Sequence, residues 1–439
     1  MLGSLPWTKC HSTARDLVFS GAVCRLILMD CEENMRQKVI QFGLLGLVGA
    51  VVTLTAGCTA QSSNPASDVD RTSESRQSAR RHFLRAVEWQ KKGDYESAMA
   101  DYSRSISLDT TNPTSYNNRG FLKSAMGEYD KAIADYSEAI RLDSNYSDAY
   151  YNRGQSQYEK GESGKAIEDF TEAIRINPGH ADVLSARGNA NYHTGELDKA
   201  IADFDEAIRL YPNEARDYYY RGSAWNDKGE FDKAIADFST AIRLDPEYAD
   251  AYKRRGFASY RKREYDRAIA DYTASIELDP NDHMVYFRRG RAWSQKYEFD
   301  REIVDYEAAV RLNPQEAIVS DSLAWLLATC SSEALRDGKR AVQLATVACE
   351  LTEWKMDLPI ATLAAAYAES GNFQEAIRRQ QQAIDLVGDI DKTIYEQRLE
   401  LYKSGRPYRQ TPRIVLSEET RATVDGAEIG EPTDAREPE

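Results

Sequence analysis

Cysteine and histidine are the residues of this chain best suited to metal binding or nucleophilic chemistry, and their spacing favours neither. No Cys-x-x-Cys pair and no Cys/His cluster is present, so a zinc site has no ligand set. A glycine-rich phosphate loop and a Gly-x-Ser-x-Gly motif are also missing. We therefore expect a protein that is not an enzyme, without catalytic residues, cofactor or metal. The histidines after residue 58 stand singly, at His82, His180, His193 and His283.

One cysteine follows a segment that is typical of a secretory signal. Residues 39–56 read VIQFGLLGLVGAVVTLTA, an apolar run somewhat shorter than the roughly 20 residues of a membrane-spanning helix. The basic residues Arg36 and Lys38 precede this run, and the small residues Ala56-Gly57 separate it from Cys58. A basic region, an apolar region and small residues before a cleavage site together form a signal peptide.

The sequence Leu54-Thr55-Ala56-Gly57-Cys58 resembles the lipobox of bacterial lipoproteins, with Thr55 at the position where leucine is commonest. The resemblance implies cleavage before Cys58, lipidation of its sulfur and a location in the bacterial cell envelope, facing the periplasm or the exterior. Two alternatives to the signal peptide are an uncleaved membrane anchor, which also places the rest of the chain outside the cytoplasm, and a buried core helix.

The residues around this segment divide the N-terminal part of the chain into three. Residues 1–34 place acidic residues directly before the basic region, whereas Met35 begins an ideal signal. We interpret residues 1–34 as a start-site extension, 35–57 as the signal peptide and 58–78, which are polar and small, as a flexible tether to the membrane.

The overall composition indicates a helical protein that does not bind nucleic acid. The net charge is −15, which opposes the basic surface that nucleic acids require. The chain has only 13 Pro and 25 Gly among 439 residues, and its central part is rich in helix-forming Ala, Glu, Arg and Leu.

From residue 79 the sequence repeats every 34 residues, which predicts seven similar helical hairpins over residues 79–316. Small and large apolar residues recur at positions that share one stripe on each of two helices. Position 8 is glycine in Gly120, Gly154, Gly188, Gly222, Gly256 and Gly290. Position 20 is alanine in Ala98, Ala132, Ala166, Ala200, Ala234 and Ala268, with Glu302 as the exception. Position 24 is aromatic in Tyr102, Tyr136, Phe170, Phe204, Phe238, Tyr272 and Tyr306.

This pattern resembles that of the tetratricopeptide repeat (TPR) family, whose period is also 34. Residues 317–405 extend it with a longer eighth repeat, a ninth repeat and a capping helix, and residues 406–439 are predicted to be an acidic disordered tail. The resemblance implies an all-α fold, a right-handed superhelical solenoid of about nine TPR hairpins with a C-terminal capping helix.

Family geometry places repeat positions 2, 5, 9, 12 and 13 on a concave surface that binds a protein or peptide. Repeats 6 and 7 combine cations with aromatic rings there, so we expect an acidic partner segment, for which the chain's own acidic tail, with Ile414, Val415 and Leu416, is one candidate. The predicted groove residues are Lys253, Phe257, Tyr260, Arg261, Phe287, Arg291, Tyr151, Tyr158, Tyr192 and Tyr219. The expected function is an envelope-anchored scaffold; the alternatives are a structural subunit of an envelope assembly machine and a glycan- or peptidoglycan-binding module.

Charged residues at positions 7 and 23 are predicted to pair across each hairpin, because these positions lie level on its two helices. Two separately solvated charges are the alternative. The arginines are Arg85, Arg119, Arg153, Arg187, Arg221, Arg255 and Arg289. The aspartates are Asp101, Asp135, Asp169, Asp203, Asp237, Asp271 and Asp305.

We also expect Cys330 and Cys349 to be reduced core residues, because they lie at opposite ends of their hairpin.

Lipidation at Cys58 is directly testable. Mass spectrometry of the mature N-terminus should show a chain that begins at Cys58 and carries acyl groups, and Cys58→Ser should accumulate as an uncleaved precursor. An unmodified Cys58, or a mature chain that begins before it, would contradict the prediction.

Overall fold

Regular structure in the described part of this computed structural model, residues 65–387 and 392–410, is entirely helical, with nineteen α-helices and one 3-10 turn. The chain divides into two units between Val69 and Asp70, and all complete hairpins belong to the second. The helices are α1 (Pro65–Lys91), α2 (Tyr95–Leu108), α3 (Pro113–Ala125), α4 (Tyr129–Leu142), α5 (Ser147–Glu159), α6 (Ser163–Ile176), α7 (Ala181–His193), α8 (Leu197–Leu210), α9 (Ala215–Asp227), α10 (Phe231–Leu244), α11 (Ala249–Arg261), α12 (Tyr265–Leu278), α13 (His283–Gln295), α14 (Phe299–Leu312), α15 (Ala317–Thr329), α16 (Gly338–Leu351), α17 (Asp357–Glu369), α18 (Phe373–Val387) and α19 (Thr393–Lys403).

Consecutive helices pair into the nine predicted hairpins, α1 with α2 through α17 with α18, and α19 packs on the last of them. The turn inside most hairpins uses a residue with positive φ at repeat position 15. Glycine supplies it in repeats 1 to 5, as in Gly161 with φ 79°. Repeats 6 and 7 adopt the same conformation with Arg263 and Tyr297, both with φ 63°, which shows that the hairpin geometry overrides local preference.

In repeats 2 to 7 the core of the hairpin contains an aromatic ring that packs directly against a glycine. The position-24 rings are at most 4% exposed in all seven repeats. A Cβ added to the position-8 glycines would lie between 2.6 and 3.0 Å from the facing ring, closer than carbon atoms pack. Glycine is therefore needed at position 8 because it lets the first helix approach the ring.

An arginine–aspartate pair closes the edge of this core, as predicted, in all seven repeats. Nε and one terminal nitrogen of the position-7 arginine donate to the two carboxylate oxygens of the position-23 aspartate at 2.6–3.0 Å. From repeat 2 onward the remaining nitrogen donates to position 25 of the preceding repeat at 2.6–3.3 Å. We call this three-way contact the arginine fork.

The eighth hairpin replaces the fork with apolar packing. Leu323 stands at the position of the arginine and is fully buried, and Leu344 stands at the position of the aspartate and packs against the same cluster. Cys330 and Cys349 are both free and fully buried, in two different clusters, as predicted.

The structure corrects two sequence predictions at the ends of the array. Residues 65–78, predicted as part of the tether, are helical because Pro65 starts α1 and no glycine or proline follows before Lys91. Residues 406–410, predicted as part of the disordered tail, fold back against the array. The proposed signal peptide and Cys58 lie outside the described residues.

Neither a bilayer-spanning helix nor a metal-binding group is found within residues 65–387 and 392–410. Their helices lack the combination of length and apolar character that crossing a membrane requires. Their His, Cys, Asp and Glu side chains form no cluster of three or more that could hold a metal ion.

The glycine–ring contact predicts a position-specific loss of stability. Gly154→Ala places a Cβ 2.7 Å from the buried Phe170 ring and should destabilise the chain by about 1–3 kcal/mol. Gly164→Ala in the same repeat meets no neighbour within 4 Å and should be neutral or stabilising by about 0.5–1 kcal/mol. Urea denaturation followed by circular dichroism measures both, and equal midpoints would contradict the prediction.

The arginine fork predicts strong coupling between its charges. In a double-mutant cycle on Arg153 and Asp169, whose side chains are 21% and 8% exposed, we expect about 1–3 kcal/mol of coupling. The exposed Arg175–Glu172 pair of the same repeat is the control and should couple less. Coupling no larger than in the control would show that the fork is two solvated charges.

Candidate partner-binding surface

The first helices of the repeats form the inner wall of the array. From α3 to α13, the first helices of consecutive repeats approach one another more closely than the second helices do. The side of a curved array on which neighbouring helices approach is its concave side. The first helices, which carry repeat positions 5, 9, 12 and 13, therefore form this wall.

Position 5 alternates between aromatic and polar residues along the wall. In repeats 1, 3, 5 and 7 the ring at position 5 packs on the core ring at position 24, with centroids 5.1–6.0 Å apart. Tyr151 and Tyr219 are half-buried by this contact, whereas Phe287 is 3% exposed against Tyr306. Phe287 is therefore a core residue, and its assignment to the groove was wrong.

The position-12 tyrosines pack against one histidine at the middle of the wall. The rings of Tyr158 and Tyr192 lie 5.8 and 5.5 Å from the ring of His193. The Tyr192 hydroxyl donates to Asp227 at 2.7 Å, and burial together with this hydrogen bond raises its pKa. These contacts use the two tyrosines to join adjacent repeats.

Lys253 is neutralised inside the wall. Its ammonium contacts Asp250 at 2.5 Å and Asp282 at 3.0 Å. Burial alone would lower the pKa of Lys253, but the two carboxylates raise it above its usual value, so the lysine stays charged and paired. Lys253 was predicted to attract an acidic partner, and the structure gives it that partner within the chain.

Four of the other predicted residues of repeats 6 and 7 form cation–ring contacts, and two residues that the sequence reasoning missed contact two of these four. The guanidinium of Arg261 lies 5.1 Å from the Phe231 ring and 5.8 Å from the Phe257 ring, and the guanidinium of Arg288 lies 5.3 Å from the Phe257 ring. A second contact places Arg291 5.6 Å from the Tyr260 ring. We call these six residues the cation–ring ladder: Phe231, Phe257, Tyr260, Arg261, Arg288 and Arg291.

Phe231 and Arg288 were missed because the ladder runs diagonally across three repeats. Phe231 is at position 17 of repeat 5, on a second helix, and Arg288 is at position 6 of repeat 7, so neither belongs to the expected wall positions. The only sequence signal that could have indicated them is their type, since one is aromatic and the other cationic like the expected groove residues of these repeats.

A buried carboxyl group stands at position 20 of repeat 7, where this repeat departs from the small-residue pattern. Glu302 is 4% exposed, and one of its oxygens has no hydrogen-bond partner among the described residues. Burial raises the pKa of Glu302 to about 7, against the opposing hydrogen bonds of Ser294 and Tyr306. The carboxyl therefore changes charge near neutral pH.

Comparison with known families identifies the repeats. Models of the tetratricopeptide repeat match residues 91–127, 123–161, 158–215, 222–263 and 249–282. The chain therefore carries tetratricopeptide repeats, and its fold is the TPR solenoid that the sequence predicted. No curated protein matches this chain.

Several solved structures are similar over part of the chain. YrrB, described as a TPR protein with an unusual peptide-binding site, is 24% identical, with 45% of this chain and 97% of YrrB covered and a TM-score of 0.39. MamA is 27% identical over 38% of this chain and 92% of its own, with a TM-score of 0.37. A tetratricopeptide repeat protein from Parabacteroides merdae ATCC 43184 is 22% identical over 56% of this chain and 98% of its own, with a TM-score of 0.43.

The buried carboxyl group predicts a dependence of stability on pH. Because the folded-state pKa of Glu302, about 7, exceeds the ordinary glutamate value of 4.5, its protonated form stabilises the fold at low pH, and this stabilisation is lost between about pH 4.5 and 7. Glu302→Gln should thus stabilise the chain by about 2–3 kcal/mol at pH 8 and have little effect at pH 4. Denaturation midpoints at both pH values test this. The exposed Glu298→Gln is the control, and an equal dependence of stability on pH for the two variants would contradict the prediction.

Proposed function

We propose that this chain is a non-enzymatic scaffold of the bacterial cell envelope, which holds an acidic segment of a partner protein against the cation–ring ladder of repeats 6 and 7. Tetratricopeptide repeats bind protein or peptide partners, so the repeats support the scaffold. The signal-like residues before Cys58 support the envelope location. The ladder itself is the observation that favours an acidic segment.

The ladder is suited to a carboxylate flanked by an apolar side chain. Arginine presents planar donors that match the two oxygens of a carboxylate, and its stacking on rings limits the rotamers that binding would have to freeze. The rings of Phe257 and Tyr260 add apolar contact area beside the guanidinium groups. After cleavage before Cys58 the net charge would be −16, so a local group of cations would also orient an approaching acidic segment.

Reversal of two ladder charges tests the binding surface. A photoreactive residue at Tyr260 should crosslink to a partner in intact envelopes. Adding Arg261→Glu and Arg288→Glu should reduce this adduct at least about 10-fold, because two cations are replaced by repelling charges. The exposed Arg243→Glu on the second helix of repeat 5 is the matched control. Equal adduct yields in all variants would contradict the proposed surface.

Recovery of the partner separates the scaffold from the structural-subunit alternative. Purification from detergent-solubilised envelopes should return a sub-stoichiometric protein, whose recovery falls with the Arg261→Glu/Arg288→Glu variant. A stoichiometric complex that survives this variant would favour a structural subunit, and retained glycan without protein would favour a glycan-binding module.

A further inference from the structure

The wall of repeats 8 and 9 is already covered by a segment of the same chain. After α19 the backbone turns at Gly405, and residues 406–410 run back over the first helices of these repeats. The Tyr408 ring lies 5.6 Å from Trp325, and the guanidinium of Arg398 stands 4.6 Å from Trp325 and 4.8 Å from Tyr408. We call residues 406–410 the strap.

Charge and backbone contacts hold the strap in place beyond these rings. Arg409 pairs with Glu369 of repeat 9 at 2.5 Å, and this carboxylate also accepts from Arg336 at 2.9 Å. The backbone N–H of Gln410 donates to the carbonyl of Thr329 in repeat 8 at 2.9 Å. The strap therefore combines side-chain anchors with a main-chain hydrogen bond, as a bound peptide does.

The strap occupies positions on repeats 8 and 9 that match the ladder on repeats 6 and 7. Trp325 is at position 9, as Phe257 and Arg291 are, and Thr329 is at position 13, as Arg261 is. The chain also travels towards the ladder, since it leaves α19, which packs on repeat 9, and reaches Thr329 in repeat 8 at Gln410.

We propose that residues 411–419 continue along the wall and bind the cation–ring ladder of their own molecule, where they compete with the partner. Neighbouring helices lie about 8–10 Å apart, so about three extended residues cross one repeat. From Gln410 on repeat 8 this spacing brings residues 414–416, which are Ile-Val-Leu, between repeats 7 and 6 and Glu418-Glu419 to repeat 5, so that the segment spans the three repeats of the ladder.

Charge supports the chain's own tail as the occupant. Residues 411–439 contain eight acidic and three basic residues, and the apolar triplet followed by two glutamates is the chemistry that the rings and guanidinium groups would bind. Because the strap fixes the start of this segment, its effective concentration at the ladder is on the order of millimolar, higher than a free partner would reach.

Crosslinking within one molecule tests the occupant. The purified chain with a photoreactive residue at Tyr260 should form an adduct with residues 411–421 whose yield does not change on dilution. An adduct that disappears on dilution would mean that a second copy supplies the segment. An adduct elsewhere in the chain, or none, would overturn the inference directly.

Competition tests the regulation, which rests on the proposed function. A fluorescent peptide of residues 411–421 should bind the full chain carrying Leu416→Asp/Glu418→Lys/Glu419→Lys about 10- to 100-fold more tightly than the wild-type chain. Tyr408→Ala, which releases the strap, should also increase binding, and Arg261→Glu/Arg288→Glu should abolish it. Equal binding to the wild-type chain and the tail variant would overturn the inference.

The two proposals fail separately. If the partner crosslinks equally to the wild-type chain and the tail variant, the scaffold stands and the competing tail is wrong. If no partner is found but the intramolecular adduct forms at Tyr260, the tail binds the ladder and the scaffold function is wrong.

Discussion

In repeats 2 to 7 the arginine fork joins the two helices of a hairpin to each other and to the hairpin before it. One guanidinium closes the edge of its own repeat through the position-23 aspartate and reaches position 25 of the preceding repeat, as Arg153 does with Asp169 and Ser137. The ring of Tyr150 lies 5.6 Å from the same guanidinium. The aspartate side chains are only 4–10% exposed, so removing the arginine leaves a largely buried charge without its partner. The register of the wall, and so the position of the ladder, follows from these contacts.

Periodicity predicted the hairpins and the fork because both are set by contacts that every repeat makes in the same way. The ring at position 24 faces glycine at position 8 in repeats 2 to 7, so six copies of the pattern carry the same information. Contacts that occur once leave no such trace. The strap is five residues without a repeat, and Phe231 joins the ladder from a second helix, so neither could be found from position numbers.

Whether an individual wall residue is exposed, buried or paired within the chain depends on neighbours that the repeat pattern does not specify. Phe287 was predicted on the surface because position 5 faces the concave side, but the ring of Tyr306 lies close enough to bury it. Lys253 was expected to attract an acidic partner, yet it forms an ion pair within the chain with Asp282, the N-cap residue of the first helix of the next repeat. A groove predicted from positions alone therefore contains core residues and internal ion pairs as well as binding residues.

The alternation at position 5 gives the wall a longer period than the fold. Aromatic rings stand at Phe83, Tyr151, Tyr219 and Phe287, each 68 residues from the next, while Asn117, Ser185 and Lys253 stand between them. The packing of rings beneath the wall thus repeats only at every second hairpin, about 20 Å apart at the usual helix spacing. Deletion of one hairpin would preserve the backbone superhelix but place two aromatic or two polar position-5 residues in consecutive repeats. Deletion of two consecutive hairpins would preserve the alternation.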